Sequence, residues 1–305
     1  MVQFKRVKRP VNGVLLLDKP LGFSSNQALQ KVKWLYQAAK AGHTGTLDPL
    51  ATGLLPICFG EATKFSHYLL DAKKSYDATL KFGTTTTTGD AEGEVLSRAE
   101  VNVTLAQLQE VITQFIGDIT QVPPMFSALK FEGKALYEYA REGLDIERAA
   151  RDVTIFNIQL VRFEGDVAEI SVICSKGTYI RTLAEDIGAT LGCGAHLIVL
   201  RRTATADYQL RDAVTIDQLE AMSMTEKDAQ LLTVDSSLQG FPQITISMDA
   251  AFYLLQGQSI WQSGAITKNI RPQDEFKIYD DSGRFLGLGK LLEDGKIAPK
   301  RLLNF

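Results

Sequence analysis

The sequence predicts an α+β fold: a mixed, largely antiparallel sheet with flanking helices, followed by a small β-rich unit at the C-terminal end. Strand-like and helix-like apolar periodicities both occur, but without the regular strand–helix–strand rhythm that builds a doubly wound parallel sheet. The texture changes past Gly240-Phe241-Pro242, where short apolar runs are separated by Asp280-Asp281-Ser282-Gly283 and Asp294-Gly295, both strong hairpin-turn signals. At 305 residues the chain is long enough for one large and one small core. We therefore expect one domain over 1–242 and a second over 246–305.

Gly13 to Leu17 reads as a short buried strand, with the turn Lys19-Pro20-Leu21-Gly22 behind it. Ser24 or Ser25 then caps a helix whose apolar positions are Leu29, Val32, Leu35 or Tyr36, and Ala39, leaving Lys31, Lys33 and Lys40 on the outer side. Tyr76, Ala78, Leu80 and Phe82 alternate with Asp77, Thr79 and Lys81, the pattern of a half-buried strand. A threonine-filled loop from Gly83 to Gly89 follows. Thr104-x-x-Gln107 is a capping box for a helix using Leu105, Leu108, Val111, Ile112 and Phe115, ended at Gly117. Residues 121–150 break the regularity with Pro123-Pro124, several glycines, and Phe126, Lys130, Phe131, Lys134, Tyr137, Tyr139 and Arg141, and read as a long insertion. Basic residues interleaved with aromatics suit phosphates and splayed bases, or else the aromatics of a short helix buried in the core. Val153–Phe163 and Val167–Cys174 form a hairpin around Glu164-Gly165-Asp166, and a helix runs from about Thr178 to Leu191 with Ile180, Leu183, Ile187 and Leu191 inward. In the terminal unit, Phe276–Tyr279, Phe285–Leu292 and Lys296–Leu302 are the strands.

Composition narrows the function. With 45% apolar and 23% charged residues the chain reads as soluble and globular, and its longest early apolar run, Val14 to Leu17, is too short for a signal peptide or membrane span. A cytoplasmic protein without a membrane partner is expected. Cys58, Cys174 and Cys193 are scattered, as are His43, His67 and His196, so neither a disulfide framework nor a metal site is expected. The net charge of −3 argues against a nucleic-acid partner, yet residues 1–40 hold eight basic residues (Lys5, Arg6, Lys8, Arg9, Lys19, Lys31, Lys33, Lys40) against Asp18 alone. That segment is either a footprint for a polyanion or a solvated tail with one helix face.

The most unusual stretch is Gly42-His43-Thr44-Gly45-Thr46-Leu47-Asp48-Pro49-Leu50-Ala51-Thr52-Gly53-Leu54-Leu55-Pro56, where three glycines and two prolines shape a loop around one acid and one imidazole. Asp48 is either an Asx-turn acid before Pro49 or a chemical carboxylate. No G-x-x-x-x-G-K-[ST] and no G-x-S-x-G occurs, which removes a P-loop and a nucleophile elbow. Glu61, the next acid, gives no reason to be the second carboxylate of a glycosidase pair, so a lone aspartate remains.

Residues 42–64, ending Pro56-Ile57-Cys58-Phe59-Gly60-Glu61-Ala62-Thr63-Lys64, resemble the signature of TruB-type tRNA pseudouridine synthases, centred on Gly45-Thr46-Leu47-Asp48-Pro49. The resemblance extends to Lys19-Pro20, Lys73-Lys74-Ser75-Tyr76, Gly177-Thr178-Tyr179-Ile180-Arg181 and Leu200-Arg201-Arg202-Thr203, and so covers nearly the whole chain in order. It implies a pseudouridine-synthase α+β domain over 1–242, whose 121–150 insertion contacts RNA, and a terminal RNA-binding domain of the PUA type over 246–305. It implies catalytic roles for Asp48, for Tyr76 as the active-site tyrosine, and for Arg181 as the basic residue that pairs with the aspartate. Tyr179, Lys64 and Leu200 match pocket positions, His43 matches one that contacts the RNA loop, and Lys19 and Lys130 complete the substrate-binding set. The implied partner is transfer RNA, through its T-loop and arm; no cofactor motif and no metal cluster is read from the residues, and a monomer is the default expectation.

The expected reaction isomerises the uridine at position 55 of the T-loop. The uridine is flipped out, its N1–C1′ bond broken, the base turned, and C5 joined to C1′. An ionised carboxylate serves this either by attacking C1′ or by stabilising an oxocarbenium-like centre. Burial and RNA phosphates would raise the Asp48 pKa, while Arg181 would oppose them. Arg181 falls in the first turn of its helix, where the macrodipole disfavours a cation and a nearby anion is called for, unless it is simply a surface arginine. Tyr76 is either a core aromatic or a ring that stacks on the flipped uracil and moves a proton at C2′. Two alternatives keep the RNA: a non-catalytic RNA-binding or RNA-folding module, and a guide-RNA-dependent relative of the same superfamily. An aspartyl-nucleophile hydrolase would want an acid two residues after Asp48, where Leu50 stands.

Overall fold

The computed structural model describes residues 8–261 and 270–304. Strand β1 (Gly13–Lys19) is apolar along nearly its whole length because both of its faces are covered. Helix α1 (Ser25–Leu35) starts at Ser24, whose hydroxyl accepts from the Gln27 N–H while the Gln27 side chain accepts from the Ser24 N–H. Ala28, Leu29, Val32 and Leu35 face inward. The helix then stops through a left-handed residue, Gln37 at φ +52°, and this shifts the phase: Ala38 is buried and Ala39, expected inside, is exposed.

Two strands emerge from the glycine- and proline-rich stretch that the sequence marks as a loop. Only residues 44–50 are irregular, between β2 (Ala41–His43) and β3 (Ala51–Phe59). Pro56 is tolerated in the middle of β3 for a specific reason. Its carbonyl accepts from the Thr44 N–H on the edge where pairing with Leu200–Arg202 has ended at Gly53 and pairing with β2 begins only at Ile57. The Pro56 nitrogen faces the same gap, so its missing N–H removes no ladder bond.

Helix α2 (Ser66–Leu70) leads into β4 (Lys74–Phe82), which alternates buried and open residues as the sequence predicts. A threonine hairpin, β5 (Thr84–Thr86) and β6 (Val95–Arg98), precedes α3 (Leu105–Gln114), capped by Thr104 and Gln107. Strand β7 (Gly117–Gln121) opens the insertion, which contains a short hairpin, β8 (Lys130–Phe131) and β9 (Lys134–Ala135), and helix α4 (Leu136–Arg141). The chain continues through β10 (Arg151–Glu164), β11 (Val167–Cys174), α5 (Ile180–Thr190), β12 (Ala195–Thr205), β13 (Tyr208–Gln209) and β14 (Val214–Thr215).

These strands form one mixed sheet in the order β14-β1-β3-β12-β4-β11-β10-β7, with β2 on β3 and β13 on β12. Only β1–β14 and β3–β12 run parallel, as a largely antiparallel sheet requires. Residues such as Leu15, Leu55, Phe59, Leu80, Ile170 and Val172 on the sheet pack against Val32 of α1, Leu108 of α3 and Leu183 of α5 in one core. A second sheet, β15 (Gln243–Ile246), β16 (Glu275–Asp280), β17 (Phe285–Leu291) and β18 (Ile297–Leu302), has its own core of Ile244, Phe276, Ile278 and Leu286. The two parts are tied together by Tyr68–Glu275 and Tyr279–Asp235 hydrogen bonds of 2.6 Å, and by Phe65 packed on Phe285. Among the described residues no helix is long and apolar enough to cross a membrane.

Gly53 shows how tightly the centre is built. Its φ is +99°, and a Cβ there would stand 2.3 Å from the Arg202 carbonyl oxygen and 2.8 Å from the Arg202 nitrogen. Because the obstacle is backbone on the neighbouring strand, it cannot rotate away. We expect Gly53→Ala to lower unfolding free energy by about 2–4 kcal/mol in urea titration; an unchanged midpoint would mean that β3 and β12 separate more easily than this packing implies.

Candidate active site

Asp48 sits in the 44–50 loop, and that loop is pinned from several sides. Ser25, the first residue of α1 and almost fully buried, accepts from the Leu47 N–H at 2.7 Å and donates to the Leu47 carbonyl at 3.0 Å. The Gly22 N–H donates to the Pro49 carbonyl, the Thr44 N–H to Pro56, and the Arg202 guanidinium to the Gly45 carbonyl at 3.3 Å. Gly45 has φ +111°, a conformation that other residues rarely adopt, so the glycine lets the loop turn over Arg202 and Lys74. A loop held this way presents its acid at a fixed place.

Arg181 meets that acid. It lies in the first turn of α5, its side chain 5% exposed, with one terminal nitrogen 2.8 Å from an Asp48 carboxylate oxygen and the other 3.5 Å from Asp90. The same guanidinium donates to the carbonyls of Thr88 at 3.0 Å and Phe126 at 2.7 Å. Asp90 is itself buried and held by the Thr88 hydroxyl at 2.5 Å and the Glu92 N–H at 3.1 Å. The lone aspartate expected from the sequence is therefore corrected: a second carboxylate shares its cation, brought in by the threonine turn before it.

Asp48 opens on solvent through the pocket, with 37% of its side chain exposed, yet protein crowds it on every other side. Desolvation raises its pKa above the ordinary 3.8; Arg181 and, more weakly, Lys19 oppose this, while the Asp90 charge adds to the rise. The carboxyl sits above its usual range in spite of its ion pair.

A cavity of about 370 Å³ opens beside Asp48. Its walls include Tyr76, Tyr179, Arg181, Leu200 and Arg202, and its rim on one side is Ser127-Ala128-Leu129 of the insertion. Tyr76 of β4 stands opposite Val172 on β11 and Arg202 on β12. Burial raises its phenol pKa, which keeps the proton on, and the nearby Arg202 charge opposes the rise. Arg202 is wholly buried and donates to the Leu54 carbonyl at 2.6 Å, so a cation lies directly beneath the aromatic wall. Lys74 is buried too, its Nζ donating to the carbonyls of Leu70 and Ala72 at 2.9 Å, and burial lowers its pKa to about 8.

The other sequence-nominated residues are spread more widely. Tyr179 and Leu200 line the cavity. Lys19, expected at a basic surface, is 0% exposed: its Nζ donates to the carbonyls of Pro20 and Phe23, and burial lowers its pKa to about 8. It acts on Asp48 through charge from beneath rather than from the open face. Lys64 lies away from the cavity, paired with Glu61 at 2.6 Å and donating to the Leu302 carbonyl at 2.8 Å, so its ties are to the terminal sheet. His43, on β2, is half-buried with Nδ1 lacking a partner; burial and then the Arg202 charge lower its pKa, favouring neutral imidazole. Lys130 is exposed on the insertion hairpin.

The basic N-terminal stretch is also less open than its composition implies. Arg9 pairs with Asp228 and Lys31 with Glu220, and Lys5 and Arg6 lie outside the described residues. In the insertion the aromatics are on the surface rather than in the core: Phe131 and Tyr139 meet edge to face, with Lys134 4.5 Å over the Tyr139 ring and Arg141 5.2 Å over Tyr137.

Asp90, Arg202 and Lys74 had no role in the sequence prediction. For Arg202 a signal was present: Leu200, Arg202 and Ala204 alternate on one face of a strand, which puts the arginine on the buried side. Asp90 had no comparable signal, because its place depends on how the β5–β6 hairpin folds back.

Three family descriptions match the chain: TruB family pseudouridylate synthase (N terminal domain) over 33–180, tRNA pseudouridylate synthase B C-terminal domain over 181–239, and pseudouridine synthase II TruB, C-terminal, over 242–303. A protein of Methylobacillus flagellatus named tRNA pseudouridine synthase B is 62% identical over 303 residues, 99% of each chain. One of the same name from Stutzerimonas stutzeri is 53% identical over 308 residues, covering 100% of this chain and 99% of that one. A chain in the crystal structure of a Cbf5-Nop10-Gar1 complex matches with a TM-score of 0.72 and 26% identity, over 96% of this chain and 84% of that chain.

The raised Asp48 pKa has a consequence for stability whose sign is fixed. A carboxyl whose folded pKa lies above its unfolded value contributes stability that is fully present below about pH 4 and is lost as pH rises through the folded pKa. Asp48→Asn removes this dependence. The variant should match wild type in acid and become the more stable of the two as pH rises to neutrality, by thermal melting across the range; a variant less stable at neutral pH than in acid, relative to wild type, contradicts the assigned cause.

Proposed function

The chain belongs to the TruB family of pseudouridylate synthases, and we propose that it converts the uridine at position 55 of the transfer-RNA T-loop to pseudouridine, with Asp48 meeting the ribose of the flipped nucleotide. Its full-length relatives named tRNA pseudouridine synthase B make it an isomerase that modifies transfer RNA. The observation that carries the finer reading is the Asp48–Arg181 pair, 2.8 Å apart, at the wall of a cavity lined by Tyr76, Tyr179 and Leu200.

In the proposed reaction the electron pair of the N1–C1′ bond leaves with uracil, the base turns, C5 attacks C1′, the C5 proton is lost and N1 gains one. Atoms and charge balance with nothing added. Covalent attack on C1′ and electrostatic stabilisation during loss of a C2′ proton both require Asp48 as an anion. Arg181 orients that anion. The Tyr76 ring and Leu200 offer apolar walls to a uracil plane, and the protonated phenol, beside the Arg202 charge, is the group assigned to exchange a proton at the sugar.

The RNA enters this reading by shape. A-form helices hide their major-groove edges, so loop shape, phosphates and stacking are the handles. The 121–150 insertion is assigned to RNA contact, supported by the place of Ser127–Leu129 on the rim and by the exposure of Lys130 and Phe131. We assign 1–242 to the catalytic domain and 246–305 to a PUA-like RNA-binding domain, supported by their separate cores, with a monomer as the working unit.

The test is release of tritium from C5 of uridine in an unmodified tRNA transcript. Asp48→Asn should abolish release while retaining RNA binding; equal release by the variant overturns the reading and leaves a binding module. Tyr76→Phe keeps the ring and removes the phenol, and we expect the single-turnover rate to fall by about 10²–10⁴-fold. A rate within a few-fold of wild type would reduce Tyr76 to a stacking wall.

A further inference from the structure

The cations around the cavity are nearly all accounted for. Arg181 is shared between two carboxylates, Lys74 is spent on backbone carbonyls, and Arg202 is held by the carbonyls of Leu54 and Gly45. Arg151 differs. It lines the cavity at the start of β10, half-exposed, and among the described residues no carboxylate pairs with it. Its guanidinium lies over the face of Tyr179, 4.7 Å from the ring centroid, and one terminal nitrogen donates to the Gly177 carbonyl. Its Nε is buried without any partner.

The local construction fixes this guanidinium. A Cβ on Gly177 would stand 3.5 Å from the central carbon of the guanidinium, so the group lies flat over the glycine and the tyrosine together. Arg151 also pairs across the sheet with Gln121, whose side chain holds both the N–H and the carbonyl of Tyr179 at 3.0 and 3.2 Å. Both ends of the insertion are thus fastened to the turn that carries Arg181. A planar cation held by an aromatic face, with N–H groups left over and no counter-charge, is built for a bidentate oxyanion.

A flipped nucleotide brings one. Its base goes toward Tyr76 and its ribose toward Asp48, while the phosphates on either side remain at the rim, where Arg151 lies. We propose that Arg151 is a substrate-binding residue that takes a phosphate flanking the target uridine and thereby holds the everted backbone. This rests on the reading of the cavity as the uridine pocket.

The experiment measures RNA affinity by filter binding, and tritium release in single turnover, for wild type, Arg151→Gln and Arg151→Lys. Glutamine keeps a donor for the Gly177 carbonyl and removes the charge, which separates bracing of the turn from phosphate binding. Arg151→Gln should bind about ten-fold more weakly and lower the slope of log affinity against log salt by about 0.7–0.9. Arg151→Lys should restore the salt slope. A neutral methylphosphonate at one flanking phosphate should weaken wild type about ten-fold and leave Arg151→Gln no weaker than before. Wild-type affinity and slope in Arg151→Gln, or equal sensitivity of both proteins at each flanking phosphate, overturns the proposal. If the glutamine variant fails to fold, the wild-type arm decides: insensitivity at both phosphates overturns it. Absence of tritium release in wild type would instead sink the reading of the pocket itself, while normal release with an indifferent Arg151 sinks only this assignment.

Discussion

The guanidinium of Arg181 joins three stretches of chain that have nothing to do with one another in sequence: the loop carrying Asp48, the turn carrying Thr88 and Asp90, and the insertion at Phe126. Burying a cation at the start of a helix is unfavourable twice over, by desolvation and by the macrodipole. Two carboxylates and two carbonyls offset that cost, and in doing so they fix the relative positions of all three stretches. Sharing also sets the chemistry. Burial raises the Asp48 pKa above its ordinary value, Arg181 pulls it back, and the Asp90 charge on the same guanidinium adds to the rise.

The rest of the fold serves this arrangement by being stiff. Ser25, Arg202 and the backbone of Gly22 and Thr44 hold the Asp48 loop on the end of the sheet's central strands. Gly53 lets β12 come close enough for Arg202 to reach under the loop and against Tyr76. On the far side, Lys64 and Glu61, which follow β3 directly, fasten to Leu302 and Asn304 of the terminal sheet at 2.8 and 2.7 Å. The strand that supports the acid is therefore anchored at both ends.

Much of this was legible in the sequence where local physics decides. The serine cap of the first helix, the capping box at Thr104, the alternation through Tyr76 and Phe82, and the turns at Asp280 and Asp294 each depend on neighbours in the chain, and each element formed as its residues require. The motif around Asp48 was legible as unusual, and the resemblance it carries supplied the partner Arg181. What escaped depends on tertiary placement. Strand β3 was hidden because glycine and proline ordinarily end strands, and only the gap beside Pro56 and the close approach at Gly53 explain them. Lys19 counted as a surface charge because composition cannot register burial beneath Asp48. Asp90 lies 42 positions from Asp48 in sequence, and nothing in its own surroundings announces that they share a cation.

Asp90 shares Arg181 with Asp48 and so bears on how basic the Asp48 carboxyl is. The direct measurement is the titration of the Asp48 side-chain carboxyl by carbon-13 NMR in wild type and in Asp90→Asn. With the neighbouring charge removed and Arg181 left to one partner, the Asp48 pKa should fall from above its ordinary value. A pKa that stays where it was, or rises, would contradict the account.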